Sequence, residues 1–222
     1  MFGISLDPTQ DILYRPLPKD GRLLRILRLA PGTFGEPLHG QLIQDNLESQ
    51  IHEYCALSYV WGKPTEQRYI YMNGRPHQIM PSLYEALQHI RTSTETLFIW
   101  ADALCINQQD VEERNSQVAM MAQIYSMAKE VLVWLGVADY DTMFTGASGM
   151  DVDRLFDRLN GRNTNNIWYH VMRKHEDSLR NVCNRDYWSR AWTIQEFALA
   201  KSIVLFCGNN RMNLANFLDG MA

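Results

Sequence analysis

The sequence predicts an α/β domain with a mainly parallel central sheet flanked by helices. Residues 97–100 (Leu-Phe-Ile-Trp) and 131–135 (Val-Leu-Val-Trp-Leu) are near-continuous apolar runs, the pattern of strands covered on both faces. Between them, residues 111–129 carry apolar side chains at helical spacing. The alternation continues to residues 203–206 (Ile-Val-Leu-Phe), and strand–helix–strand order favours parallel pairing.

Taken in order, residues 8–22 read as loop, broken by Pro8, Pro16 and Pro18. Residues 23–29 form a short strand stopped by Pro31-Gly32, and residues 38–48 an edge strand. Residues 54–59 form a compact strand ending in Trp61-Gly62-Lys63-Pro64. Asn73-Gly74 joins two β-prone runs, 69–72 and 77–80, into a hairpin, because both turn residues tolerate positive φ. Pro76 sends the second of these strands to a sheet edge. Ser82, with Glu85 three residues later, reads as a capping box opening a helix with Leu83, Ala86, Leu87 and Ile90 on its apolar face. Helix 111–129 presents Val118, Met121, Ala122, Tyr125 and Ala128. Residues 138–182, rich in Gly and Asn, read as an insertion with helices at 151–159 and 168–182. A helix over 188–200 leads into the last strand, and Asn213 caps a final helical start at 214–218. The parallel core is expected from 54–59, 97–101, 131–135 and 203–207, with 97–101 and 131–135 adjacent. The N-terminal segment and the hairpin add edge strands. The chain is expected to form one domain, 1–222, with its core at about 14–208. Its early stop after Asn213 suggests a piece of a longer protein.

Composition narrows the function. Of 222 residues, 21 are Lys or Arg and 25 are Asp or Glu, a net charge of −4, so no basic surface draws the chain to nucleic acid. No apolar run approaches the ~20 residues of a membrane helix, and residues 1–8 have no basic segment leading into an apolar one, so no signal peptide is expected. Four widely spaced cysteines and scattered histidines point to reduced thiols in a cytoplasmic protein, with no metal site. Cys105, between Leu104 and Ile106, reads as core.

No P-loop, dinucleotide-binding glycine fingerprint, nucleophile elbow or His-Glu-x-x-His occurs. Three polar and aromatic clusters remain. They are Ser58-Tyr59-Val60-Trp61-Gly62, the run Trp100 to Gln108 continuing through Glu113, Arg114 and Gln117, and the run Arg185 to Glu196. The first two begin at strand ends, where open α/β sheets bind ligands.

These clusters resemble the heterokaryon incompatibility (HET) domain of filamentous fungi. The resemblance rests on Tyr-x-Ala-Leu-Ser-Tyr-x-Trp-Gly at 54–62, Trp100 to Gln108, Glu113 to Val118, and Arg-x-Trp-Thr-x-Gln-Glu at 190–196, with a similar lead-in at Tyr14-Arg15-Pro16-Leu17. It covers roughly residues 14–208, with Ala101 departing from a frequent Ile. It implies programmed cell death after non-self recognition, as the effector module of a larger receptor-like protein. The family is similar to TIR domains, whose Trp-Cys-x-x-Glu-Leu segment supplies an NAD-cleaving glutamate. Here Trp192-Thr193-Ile194-Gln195-Glu196-Phe197 keeps the Trp-to-Glu spacing, with Thr193 in place of Cys. Trp192 and Glu196, four apart, share a helix face.

The resemblance implies a TIR-like sheet and NAD or NADP as substrate, with no cofactor. Glu196 would be catalytic, Ser58, Trp61, Asp102 and Trp192 would bind substrate in one cleft, and Asn107, Gln108, Arg114, Gln117 and Arg190 would support them. Nicotinamide leaves as a neutral group, so one carboxylate that stabilises an oxocarbenium-like transition state suffices. Structural readings stand beside these. Glu196 pairs with Arg190 or Arg114, Asp102 caps the following turn, Trp61-Gly62 is a tight turn, and Arg114 and Gln117 knit their helix to Asn107-Gln108. Two functions follow, a glycohydrolase activated by self-association and a non-catalytic death adaptor acting by homotypic assembly.

Overall fold

The computed structural model describes residues 13–18, 22–48, 52–137, 182–190 and 193–219. In chain order, the strands and helices are β1 (Leu23–Leu29), β2 (Leu38–Asn46), β3 (Cys55–Tyr59), β4 (Arg68–Met72), β5 (Arg75–Ile79), α1 (Pro81–Ile90), β6 (Leu97–Trp100), α2 (Asp102–Cys105), α3 (Val111–Met127), β7 (Val131–Trp134), α4 (Thr193–Leu199), β8 (Ile203–Cys207), β9 (Asn210–Asn213) and α5 (Leu214–Asp219). A 3₁₀ turn, Asp186–Ser189, precedes α4. The strands join in one sheet ordered β5-β4-β2-β1-β6-β3-β7-β8-β9.

The α/β class stands, but the sheet is mixed rather than mainly parallel. β6, β3, β7 and β8 are parallel neighbours. Outside this core, β2–β4 is parallel and four pairings are antiparallel, β1–β2, β1–β6, β4–β5 and β8–β9. Three of the four join strands consecutive in the chain, whose short connections reverse its direction. β6 and β7 are not adjacent as expected, since β3 lies between them. Apolar periodicity marks burial and carries no information about neighbours. Residues 38–46 are an inner strand between β4 and β1, not an edge, whereas the Pro76 strand does lie at the edge.

The four core strands, numbered by their own chain order, stand 2-1-3-4, the order of doubly wound sheets whose switch point lies between the first and third strands. Here that point is the gap between β3 and β7. Helices cover both faces. His89 of α1 stacks on Trp134, which pairs in register with Tyr59, while Tyr125 of α3 meets Trp100, which pairs with Ala56. Tyr59 and Ala56 are three residues apart, so α1 and α3 lie on opposite faces.

Local signals differ in detail. Asn73 (φ 52°) and Gly74 (φ 80°) form the expected two-residue turn. Ser82 does not cap α1. Pro81 takes the first helical position after Met80, and the Ser82 hydroxyl instead donates to the Trp61 carbonyl at 2.7 Å. α3 opens with Asp110 Oδ1 accepting from the Glu113 amide at 3.0 Å. Its buried side is Gln117, Met120, Met121, Ile124 and Tyr125, leaving the expected core residue Val118 exposed. The helix expected at 188–200 is divided between the 3₁₀ turn and α4. Asn213 caps α5 as expected, accepting from the Ala215 amide at 2.9 Å. β9 was not foreseen, because Met212 is its one apolar residue. The insertion at 138–182 and its helices lie, apart from Val182, outside the described residues.

One buried ion pair ties the N-terminal half together. Arg25 of β1 is 1% exposed. Its guanidinium grips both Glu113 carboxylate oxygens at 2.5 and 2.9 Å, the Cys105 carbonyl at 3.2 Å and the Arg15 carbonyl at 2.5 Å, and lies 5.2 Å from the centre of the Tyr14 ring. It thus links the 13–18 segment, β1, α2 and the first turn of α3. Removing one partner strands a buried charge, so Arg25→Met should cost about 3–5 kcal/mol in urea unfolding, with Arg25→Met/Glu113→Leu recovering much of the loss. A single-variant loss below about 1 kcal/mol, the scale of an exposed pair, would refute this role.

Candidate functional site

The carboxyl ends of the parallel strands carry two linked groups of side chains. Ser58 sits near the end of β3, on the face that packs against α3, because it alternates with Ala56. On the same face α4 packs against α3 and delivers Glu196, 1% exposed. The two meet directly, with the Ser58 hydroxyl donating to Glu196 Oε2 in a short hydrogen bond.

Arg190, one residue beyond the 3₁₀ turn, forks onto the same carboxylate, Nη1 at 3.3 Å from Oε2 and Nη2 at 3.1 Å from Oε1. Nη1 also donates to Ser58 Oγ at 3.1 Å. The Tyr125 hydroxyl donates to Oε1 at 3.3 Å. Each carboxylate oxygen therefore accepts two hydrogen bonds. The Tyr187 hydroxyl lies 2.6 Å from Ser58 Oγ. Because Ser58 gives its one proton to Glu196, Tyr187 is the donor there. Burial pushes the Tyr125 and Tyr187 phenols well above their ordinary pKa, with the nearby Glu196 charge adding to it. Both stay protonated and available as donors.

The second group lies at the ends of β3 and β6. Asp102 opens α2 and accepts from the Trp61 indole N–H at 2.9 Å and from the Ala103 amide at 2.8 Å. Trp61 is 41% exposed. Its backbone is held by Ser82, and the chain turns away at Gly62, whose φ of 71° favours glycine. Burial pushes the Tyr59 phenol well above its ordinary pKa, and the neighbouring Asp102 carboxylate adds to the shift. Burial raises the Asp102 carboxyl above its ordinary value, although the Trp61 and Ala103 donors and the Arg190 charge pull the other way. Arg190 thus acts on both groups, which meet along β3 at Ser58 and Tyr59.

The structure brings Ser58, Arg190 and Glu196 into contact, and separately Trp61 and Asp102. Trp192 lies outside the described residues. The remaining expected residues make structural contacts. The Asn107 amide donates to Glu113 at 2.7 Å, the Gln108 side chain to the Asp102 carbonyl at 2.9 Å, Arg114 to the Gln108 carbonyl at 3.4 Å, and Gln117 to the Leu23 carbonyl at 3.0 Å. Glu196 takes Arg190, not Arg114, as its ion-pair partner. The sequence reading missed the roles of Tyr125 and Tyr187. Tyr125 reads as an ordinary apolar helix position, and no spacing signal links either tyrosine to Ser58. Cys105 is a core thiol raised to about 12 by burial. Among the described residues no group of His, Cys, Asp and Glu could hold a metal ion, and no helix is long and apolar enough to cross a membrane.

Comparison with known proteins adds a family. A family model described as Heterokaryon incompatibility protein (HET) matches residues 54–196. Heterokaryon incompatibility protein 6, OR allele, of Neurospora crassa is 32% identical over 194 residues, covering 70% of this chain and 28% of that protein. No solved structure matches the chain.

The raised Asp102 carboxyl gives a pH dependence with a definite sign. The folded chain holds this proton to higher pH than the unfolded chain does. Stability from this group is therefore greatest below the ordinary value of 3.8 and falls as pH rises toward the raised one. In unfolding titrations across pH, the stability of the wild type relative to Asp102→Ala should decline over that interval and level off above it. A relative stability that grows over the interval would show that the N–H donors outweigh burial.

Proposed function

The chain belongs to the heterokaryon incompatibility family, and from that premise we propose that it is the cell-death effector part of a fungal non-self recognition protein, cleaving NAD or NADP when it self-associates. The observation that carries this reading is Glu196, a buried carboxylate held against Ser58 at the carboxyl end of β3, beside the switch point of the parallel core. In the reaction the bond between ribose C1′ and the nicotinamide nitrogen breaks, and nicotinamide leaves neutral with the bonding pair. Water adds to C1′ and releases a proton to solvent. Glu196 offsets the positive charge that builds on the ribose, an interaction strongest in the transition state. Trp61, fixed by Asp102 and half exposed, offers a face for a base or the pyridinium, and Trp192 is assigned the same kind of role. The resemblance to TIR domains supports this assignment. The domain is proposed to act in the cytoplasm, with its trigger in a receptor-like partner or in further chain.

A second reading, a non-catalytic adaptor acting by homotypic assembly, draws on a different observation. Both oxygens of Glu196 are already satisfied by donors of the chain itself.

Glu196→Gln separates the two. Glutamine keeps the shape and removes the charge, so NAD cleavage should fall at least about a hundredfold, or ~3 kcal/mol. Toxicity in a yeast or fungal host should fall with it. The variant should melt a few degrees lower, because Arg190 loses its counter-charge, yet still self-associate. A folded, self-associating variant that still kills would overturn the enzymatic reading in favour of the adaptor.

A further inference from the structure

The shell around Glu196 is closed on every described side but one. Ser58 is 1% exposed and Tyr125 2%, and Tyr187 behind Ser58 is equally buried. The Arg190 side chain is 20% exposed, although the carboxylate it covers is at 1%. The cation therefore stands between solvent and the anion. It is also the one partner of Glu196 whose hydrogen-bonding geometry suits a second kind of anion, since a guanidinium fork fits a phosphate as well as a carboxylate.

Resting on the glycohydrolase reading, we infer that Arg190 is an exchangeable counter-ion. Its guanidinium leaves Glu196 for the pyrophosphate of a dinucleotide, and the carboxylate so uncovered takes the ribose. Arg190 occupies one acceptor position on each oxygen of Glu196. Its departure frees one position on each, a spacing suited to two adjacent hydroxyls, while Ser58 and Tyr125 continue to hold the carboxylate. The pyrophosphate supplies the counter-charge for Arg190, while the ribose hydroxyls replace the two hydrogen bonds Glu196 gives up and the cationic nicotinamide end of the dinucleotide faces its charge. Arg190 then selects phosphorylated nucleotides and keeps Glu196 covered until one arrives. It is a positioning residue for Glu196 and a binding residue for phosphate.

Calorimetric binding of inorganic pyrophosphate to the folded chain tests the exchange without turnover. In the wild type, pyrophosphate competes with Glu196 for Arg190. Glu196→Gln removes the competitor and should tighten binding about tenfold, whereas Arg190→Gln should weaken it about tenfold. Arg190→Lys keeps the charge but loses the fork and should fall between. It also serves as the control if Arg190→Gln does not melt as a folded protein. A merely structural Arg190 predicts no tightening for Glu196→Gln, because the loosened site binds no better. Unchanged or weaker pyrophosphate binding by folded Glu196→Gln would overturn the inference. A wild type that shows the expected affinity pattern but releases no nicotinamide from NAD even when fused to an oligomerising partner that enforces self-association would refute the glycohydrolase reading and leave the exchange standing. One that cleaves NAD with pyrophosphate affinity unmoved by Glu196→Gln would refute the exchange alone.

Discussion

Taking a carboxylate out of water costs several kcal/mol unless donors replace the water, and Glu196 is almost wholly out of water. The site is organised around that requirement. Ser58 comes from the central strand, Tyr125 from the long helix on one face, and Arg190 from the connection leading into α4. No one element supplies enough donors, so the charge acts as a staple between sheet and helices. The same constraint explains why Tyr187 is present. Ser58 spends its proton on Glu196, and its lone pairs are taken up by Tyr187 and Arg190.

The sheet determines where this staple lies. β3 has parallel neighbours on both sides, β6 and β7, and the chain passes from one to the other across it by way of α3. Residues at the end of β3 therefore face a crevice that no single crossover fills. Ser58 and Tyr59, successive residues, direct the buried carboxylate group and the Trp61–Asp102 pair to neighbouring parts of the rim. The strands beyond β6 lie outside this crevice and extend the sheet through the antiparallel pairing of β1 with β6.

Much of this was legible in the sequence, and the illegible parts share a cause. Strands 54–59, 97–100, 131–134 and 203–207, the Asn73-Gly74 hairpin and the helix from Val111 are local patterns of burial and turn chemistry, and they read correctly. The order of the strands does not follow from such patterns. Leu97-Phe98-Ile99-Trp100 and Val131-Leu132-Val133-Trp134 look alike because both are buried, although β3 separates them. Ser82 illustrates the limit of motif reading, since it lies inside the helix and its hydroxyl donates to the Trp61 carbonyl, distant in sequence, instead of accepting from an amide of its own helix. Ser58, Asp102, Arg190 and Glu196 stood out through residue type and family resemblance. Tyr125, Tyr187 and Arg25 did not, because an aromatic or basic residue in an apolar stretch shows its partner only once the chain is folded.

The contact between Ser58 and Glu196 spans 138 positions of the chain. Contacts that distant close late, after the entropy of the intervening loop has been lost. A chain made from its N-terminus presents β3 and α3 well before α4 exists, so during synthesis the rim is present without its carboxylate. Whatever the completed site does, a partly made chain cannot do it. The topology makes the Ser58–Glu196 contact a property of chains extended at least through α4.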